Sequence, residues 1–164
     1  MEIVKHAVEI GAIDFSPYGI VYDMRADAPA SHLVERSAGD GWRDANTTQP
    51  LIDTPGALGY TVGSGTPFVA RDMEMHLHTQ EALFPTDRPI VFLVARACEG
   101  APRAEDVIPV IVRPGQVAVL HRRTWHSAAH GIGEEAYYHY LALVYKNEPT
   151  TWSDIQGGPV RVLG

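Results

Sequence analysis

Short runs of β-type residues, each ended by glycine, proline or a charged residue, recur along the chain from residue 57 onward. They are rich in Val, Ile, Tyr and Phe, which favour strands, and their spacing is typical of small sandwiches and barrels. The 164 residues include 15 Gly and 12 Pro, so many turns and few helices are expected. The runs are ALGYTVG, TPFVARDMEMHLH, IVFLVARA, VIPVIV, QVAVLH and YYHYLALVYK.

The whole chain, residues 1–164, is predicted to form one all-β domain, an antiparallel barrel or sandwich with a small N-terminal helix. Two short strands, IVKHAVEI and IVYDM, precede the main set, and the helix begins near Asp14. Pro109 lies inside VIPVIV and predicts that this strand is at an edge or bulged. Residues 25–50 are polar and rich in turn formers, so an irregular segment is expected there, and residues 147–164 are predicted to pack along the surface as a tail.

Composition excludes several classes of partner. The net charge is −7 and the sequence has no basic stripe, so no nucleic-acid partner is expected. No run approaches the roughly 18 apolar residues that span a bilayer, and the N-terminus lacks the pattern of a signal peptide. Cys98 is the single cysteine and cannot form an internal disulfide. These features are compatible with a cytoplasmic protein that has no membrane partner.

The stretch MEMHLHTQEALFP, residues 73–85, concentrates histidine and glutamate. In a strand, Glu74, His76 and His78 would share one face, while Met75 and Leu77 would point to the other. The polar face either meets water or lines the interior of a barrel, and the stretch alone does not decide between these arrangements.

A second stretch, PGQVAVLHRRTWH, ends at His126, where a strand from a distant part of the chain is expected to begin. A mononuclear metal site needs such a distant ligand in addition to those of the first stretch. Imidazole and carboxylate groups suit Zn, Mn, Fe or Ni, and a closed structural site would more often use cysteine. The predicted ligands of an open divalent metal site are His76, His78, Glu81 and His126. The alternative is a barrel whose histidines merely pack.

The two stretches resemble the two motifs of cupins, which implies a jelly-roll barrel, the double-stranded β-helix. More specifically, AIDFSPYGIVYDM, NTTQ, EMHLHTQEALFP and PGQVAVLHRRTWH together resemble segments of the ureidoglycolate lyase family. The resemblance implies a carbon–nitrogen lyase of allantoin catabolism that releases glyoxylate and urea, and a homodimer. Glu81 stands where that family has Gln, and His78 where it usually has no His. These departures make the chain look more like a metal-binding cupin.

Other residues are candidates for binding and catalysis. A lyase of this kind needs a base for the hydroxyl proton of a small anionic substrate and an acid for the leaving nitrogen. Glu74 and His121 are the candidates for these roles, which the sequence does not assign individually. Side chains that could reach the cavity and bind substrate are Arg123, Trp125, Tyr138 and Tyr140.

Three alternatives to the lyase remain open at this stage. One is another metal-cupin reaction on a small carboxylate or sugar, such as isomerisation or cleavage with O₂. A second is a cupin that binds a small molecule without catalysis. The third is the barrel without a metal site, which stoichiometric metal in the purified protein would exclude.

Overall fold

The computed structural model describes residues 2–144 and 150–164, and strands account for most of the regular structure. A single turn of 3-10 helix, Ile10–Ala12, lies near the N-terminus. The strands are β1 Ile3–His6, β2 Val8–Glu9, β3 Gly19–Asp23, β4 Val34–Gly39, β5 Trp42–Thr47, β6 Ala57–Gly63, β7 Phe68–Ala70, β8 Asp72–Met75, β9 Glu81–Pro85, β10 Ile90–Ala95, β11 Ile108–Val112, β12 Gln116–Leu120, β13 Trp125–His126, β14 His130–Gly131, β15 Ala136–Ala142, β16 Thr151–Asp154 and β17 Val160–Leu163.

Two central sheets face each other. The five-stranded sheet has the order β3-β12-β9-β15-β6, and the seven-stranded sheet has the order β16-β8-β13-β10-β11-β2, with β14 paired to β10. From β8 to β16 the chain passes repeatedly from one sheet to the other, which is the winding of a jelly roll. The prediction of an all-β jelly-roll barrel is confirmed.

Strand β10 shows why the central sheets are stable. Ile90, Phe92 and Val94 pack into the core between the two sheets, while Val91 and Leu93 pack into a second core on the opposite face. All five side chains are fully buried. A strand that is covered on both faces has an unbroken apolar sequence instead of an alternating one. This explains why all six residues of β10, IVFLVA, are apolar.

Two outer layers cover the central sheets. The three-stranded sheet β1-β17-β7 covers the outer face of the seven-stranded sheet, where Val160 and Val162 join the second core. The hairpin β4–β5 covers part of the outer face of the five-stranded sheet, where Val34 packs with Tyr22 and Val119. The molecule therefore has four β layers.

Pro109 occupies a position with a partner on one side. It pairs with Leu93 of β10, whereas the short strand β2 pairs only with Val110 and Ile111. Because β2 begins at Val8, opposite Val110, no residue of β2 pairs with Pro109, and the missing N–H breaks no ladder hydrogen bond on that side. The proline thus stands at a local edge, as its chemistry requires.

The predicted small N-terminal helix is not present. In its place the chain makes the one 3-10 turn and then a tight turn around Asp14. The Asp14 carboxylate accepts hydrogen bonds from the backbone N–H and the hydroxyl of Ser16, at 3.1 and 2.7 Å. A side chain that binds the backbone two residues ahead stabilises a turn and competes with helix formation.

The segment predicted to be irregular, residues 25–50, contains the β4–β5 hairpin. Gly39 pairs with Trp42, so the turn consists of the two residues Asp40 and Gly41, and Gly41 has a φ of 78°. An Asp-Gly pair is a strong hairpin signal, because glycine adopts positive φ without steric cost. The signal was in the sequence but was masked by the polar residues around it.

The predicted C-terminal tail also forms regular structure. Strand β16 pairs with β8, and β17 lies in the middle of its sheet, parallel to β1 and antiparallel to β7. The first three residues of the predicted tail, 147–149, and the last two of the run YYHYLALVYK, 145 and 146, lie outside the described residues. In the part of the chain that is described, no helix is long and apolar enough to cross a membrane.

Candidate functional site

Four titratable side chains converge between the central sheets. Glu74 of β8 lies there because it pairs directly opposite His126 of β13. Residues opposite each other in a ladder have their side chains on the same face of the sheet. His126 in turn pairs with Val94, which belongs to the core between the sheets. Glu81 is on β9, two residues before the core residue Leu83, and therefore on the same face. His76 reaches the group from the loop that follows β8.

The geometry of this cluster centres on one carboxylate oxygen. Nε2 of His76 and Nε2 of His126 each lie 2.9 Å from Oε2 of Glu81. The two imidazole rings are 5.2 Å apart between centroids. Oε1 of Glu74 lies 3.8 Å from Nε2 of His126. The ligand atoms of Glu74, His76 and His126 all fall within 4.8 Å of one another.

Backbone contacts fix the two imidazoles. Nδ1 of His126 lies 3.1 Å from the carbonyl oxygen of Thr124, to which it donates a hydrogen bond. The carbonyl of His76 accepts a hydrogen bond from the N–H of Arg123, at 2.8 Å. Arg123 adopts a φ of 67°, which aims its N–H at the loop after β8. The turn RRTW, residues 122–125, therefore fixes the positions of both histidines relative to each other.

The charges in the cluster depend on one another. Burial raises the pKa of Glu81, but the hydrogen bonds from His126 and His76 outweigh this and lower it to about 2. For His126 burial acts in the other direction and lowers the pKa. The hydrogen bond to Glu81 and the charges of Glu81 and Glu74 outweigh the effect of burial, so the pKa of His126 is raised above its ordinary value. Glu81 is therefore held ionised in a site where a lone carboxylate would be costly.

Glu74 behaves differently from Glu81. Its pKa is raised, mainly because burial disfavours the charged form, and the nearby charge of Glu81 adds to the effect. The cluster opens into a cavity of about 240 Å³. The cavity is lined by Glu74, His76, Glu81, Tyr140, Ala142, Leu143, Val144 and Thr150. Two carboxylates thus stand in one site, one held ionised and one inclined to keep a proton, which is the usual division between an orienting group and an acid–base group.

The donor set fits a divalent metal ion. Two imidazole nitrogens and carboxylate oxygens are ligands that Zn, Mn, Fe and Ni accept. A hydrogen bond from the second ring nitrogen to a backbone carbonyl, as His126 makes to Thr124, is the usual support of a metal-ligating histidine. Three or four protein ligands beside an open cavity are typical of a catalytic site rather than a closed structural one.

No family model and no curated protein matches the sequence. Solved structures similar to the chain include dTDP-4-dehydrorhamnose 3,5-epimerase from Elizabethkingia anophelis NUHP1, at 9% identity and a TM-score of 0.42, covering 60% of this chain and 54% of that chain. The rmlC epimerase of Mycobacterium tuberculosis is similar at 13% identity and a TM-score of 0.42, covering 57% and 48%. A dTDP sugar isomerase from Desulfovibrio desulfuricans G20 is similar at 12% identity and a TM-score of 0.48, covering 84% and 85%. The chain thus spans about half the length of the first two proteins.

These comparisons correct the resemblance to the ureidoglycolate lyase family. The similar structures are sugar epimerases and isomerases, and no ureidoglycolate lyase model or protein matches. The inference of a carbon–nitrogen lyase in allantoin catabolism, which rested on that resemblance, is wrong. Three of these short segments span a turn and a whole strand, β3, β9 or β12, and turn and strand chemistry of this kind produces similar sequences in unrelated proteins.

The structure does not bring His78 to the cluster. Strand β8 ends at Met75, so the alternation that would put Glu74, His76 and His78 on one face stops after its first two residues. His78 is exposed in the loop. Glu74 takes the place expected for a second histidine, and the side chains that meet are Glu74, His76, Glu81 and His126. The sequence signal for this set is the spacing of Glu74 and His76, which precede Glu81 by seven and five positions.

Three other predicted residues lie away from the cavity. His121 is in the turn after β12, where its carbonyl accepts a hydrogen bond from Thr124, and it is not among the described lining residues. The side chain of Arg123 is exposed, and only its backbone supports the cluster. Trp125 precedes His126 in a strand and so points to the opposite face, into the second core.

The two tyrosines of β15 have different positions. Tyr140 lines the cavity, as the sequence predicts. Tyr138 is buried in the core between the sheets, where its hydroxyl oxygen accepts a hydrogen bond from the N–H of Ala129, at 3.1 Å. Burial raises the pKa of Tyr138, so it remains a neutral packing residue.

Sequence reasoning missed Thr79, which connects three segments around the cluster. Its buried hydroxyl donates to the carbonyl of Gln80 at 2.6 Å and accepts the N–H of Leu143 at 3.1 Å, and it lies 3.1 Å from the hydroxyl of Thr54. A threonine between histidine and glutamate carries no sequence signal for this role. Only the folded chain brings these three segments together.

The Thr79→Val variant tests this role. Valine keeps the shape but leaves the N–H of Leu143 without its partner, so the free energy of unfolding should fall by about 1–3 kcal/mol. Thr79→Ser keeps the hydroxyl and should lose less. Urea unfolding followed by circular dichroism measures both. A smaller loss for Val than for Ser would show that the methyl group matters and the hydroxyl does not.

Proposed function

We propose that the chain is a metal-dependent isomerase of the cupin type, which moves a proton within a small polar carbonyl compound. The observation that carries this proposal is the convergence of His76, His126 and Glu74 around Glu81, at the end of a cavity. The similar structures are named as epimerases and isomerases, and the proposal places this chain in the same reaction class because of its own site.

The four residues would divide the work. His76 and His126 would hold the metal through Nε2 together with the ionised carboxylate of Glu81, and the metal would replace the hydrogen bonds that join these three groups. A divalent metal supplies Lewis acidity that polarises a carbonyl group. Glu74 faces the cavity beside the histidines, and its raised pKa means that it holds a proton more readily than an ordinary carboxylate does.

Glu74 would carry the reaction as base and then as acid. As a carboxylate it accepts the proton from the carbon next to the substrate carbonyl, and the C–H electron pair is taken up by the carbonyl system. As a carboxylic acid it returns a proton to the substrate carbon skeleton. The substrate and product have the same composition, so no further reactant is needed. The phenol of Tyr140 and the hydroxyl of Thr150, which also line the cavity, would hold the substrate in place.

The substrate we propose is neutral instead of the anion that the sequence favoured. Of the described residues that line the cavity, Glu74 and Glu81 are carboxylates, and none is lysine or arginine. The carboxyl groups accept hydrogen bonds from hydroxyl groups, and the described lining offers no cationic side chain to pair with an anion. A polyhydroxy carbonyl compound matches these surroundings.

Metal binding can be tested apart from catalysis. Protein purified without a histidine tag should contain about one divalent metal per chain by elemental analysis, and Mn, Zn, Fe or Ni should raise the melting temperature of protein treated with chelator. His76→Asn and His126→Asn should lose both effects. His78→Asn is the matched control and should keep them, because His78 is exposed and outside the cluster. Loss of metal in the His78 variant alone would contradict the proposed ligand set.

Proton transfer has its own test. Neutral aldoses and ketoses are incubated with the metal-loaded protein in D₂O, and proton NMR follows exchange of the hydrogen next to the carbonyl. Exchange should occur with the wild type and fall by about 10²-fold or more in Glu74→Gln. Metal binding without exchange for any compound would show a metal-binding protein that does not catalyse this reaction.

A further inference from the structure

Trp152 is a large aromatic side chain left open to solvent beside the cluster. It is 57% exposed, although an indole buries a large apolar area when it packs. On strand β16 it pairs directly opposite Glu74 of β8. Residues opposite each other in an antiparallel ladder have side chains on the same face, with Cβ atoms about 5 Å apart. The indole therefore stands next to the carboxylate of Glu74, on the face that bears the cluster.

A second cavity lies beside Trp152, with Arg71 and residues of β7 and β14 among its walls. It has a volume of about 290 Å³, and its walls include Trp152 and Asp72. Asp72 is two residues before Glu74 on β8 and so shares its face. The cavity at the cluster is about 240 Å³, so each alone is smaller than most ligand pockets, which measure roughly 300–1,000 Å³. Glu74 lines the cavity at the cluster and Trp152 lines the second one, so the ladder pair Glu74–Trp152 contributes one side chain to each cavity.

We propose that Trp152 is a stacking platform that determines the substrate, and that the substrate carries a hydroxylated six-membered ring of the pyranose kind. This inference rests on the proposed function of the neighbouring cluster. The flat indole face suits the apolar C–H face of such a ring. The carboxylates of Asp72 and Glu74, on the same sheet face, accept hydrogen bonds from its hydroxyl groups. A flat aromatic ring would also stack on the indole, but it would offer the carboxylates few hydrogen-bond donors.

The chain provides a matched control for this tryptophan. Trp42 is 52% exposed, on strand β5 of the outer hairpin. It lines neither of the two cavities that border Glu74 and Trp152. Trp42→Phe therefore changes an equally accessible indole without touching the proposed platform.

The experiment measures binding of methyl β-D-glucopyranoside by saturation-transfer NMR and calorimetry, with sorbitol as the open-chain counterpart and uridine as the aromatic one. The pyranoside should bind the wild type and Trp42→Phe equally. Trp152→Ala should weaken binding about tenfold or more, since stacking on an aromatic side chain is worth about 1–3 kcal/mol, and Trp152→Phe should restore most of it. Circular dichroism checks that each variant is folded.

The outcomes separate this inference from the proposed function. Pyranoside binding that depends on Trp152 and persists in His126→Asn supports the platform even if no metal or turnover is found. Metal binding and proton exchange with no effect of Trp152→Ala on KM would overturn the platform and leave the isomerase standing. Sorbitol or uridine binding better than the pyranoside would overturn the ring assignment.

Discussion

The Glu81→Gln variant should lose most of its affinity for divalent metal. Glu81 places one ionised oxygen 2.9 Å from both His76 and His126, and a glutamine side chain has no charge to hold both rings. The loss should be about 100-fold, at the upper end of what supporting groups of metal sites contribute. Because Glu81 is proposed as a ligand, this is the smallest loss expected.

Thermal denaturation at a fixed metal concentration makes this loss visible. At a metal concentration 100 times the dissociation constant, the wild type gains about 2.7 kcal/mol of stability from binding. A variant with 100-fold weaker affinity gains only about 0.4 kcal/mol under the same conditions. Proton exchange should fall in parallel, because the histidines lose their orientation.

The control for this prediction is Glu35→Gln, which removes the same charge from an exposed position on β4. It should bind metal like the wild type. Unchanged metal affinity in Glu81→Gln would mean that Glu81 has no part in the metal site, and the ligand set would then have to be restricted to Glu74, His76 and His126.

Metal-free protein should be most stable at mildly acidic pH. The folded state lowers the pKa of Glu81 to about 2, so the stability this group contributes is present above its ordinary value of 4.5 and lost as the pH falls below it. The folded state raises the pKa of His126, so its contribution is present below the ordinary value of 6.5 and lost as the pH rises through the raised value. The maximum therefore lies between these two values.

The acid side of this profile is set by Glu81. Protonation of Glu81 removes up to about 3 kcal/mol, at 1.36 kcal/mol for each pH unit by which its pKa is lowered. Urea unfolding with a chelator present, at about pH 3, 5.5 and 8, gives the profile. His126→Asn should flatten the alkaline side, and His78→Asn should leave it unchanged. A wild-type protein equally stable at all three values would contradict the ion pairing in the cluster.

The fold was largely readable from local pattern. The run IVFLVA was identified as a strand, and the structure shows why it is apolar throughout, since both of its faces are covered. The Asp-Gly turn of the outer hairpin is also a local sequence signal. The hairpin was not predicted, because charged strands resemble a loop when neither face alternates clearly between apolar and polar residues. Glu74 and Met75 do lie on opposite faces, Met75 against the second core, as the alternation predicts.

By itself the sequence determined the all-β class, the positions of the central strands and the pairing of a Glu- and His-rich stretch with the distant His126. Only the tertiary structure decided which side chains of that stretch meet. Alternation applies within a strand, and β8 ends at Met75, so the position of His76 depends on the hydrogen bond from Arg123 to its carbonyl, forty-seven residues along the chain. Contacts of that kind leave no periodic trace in a sequence, and so His76 joins the cluster while His78 faces solvent.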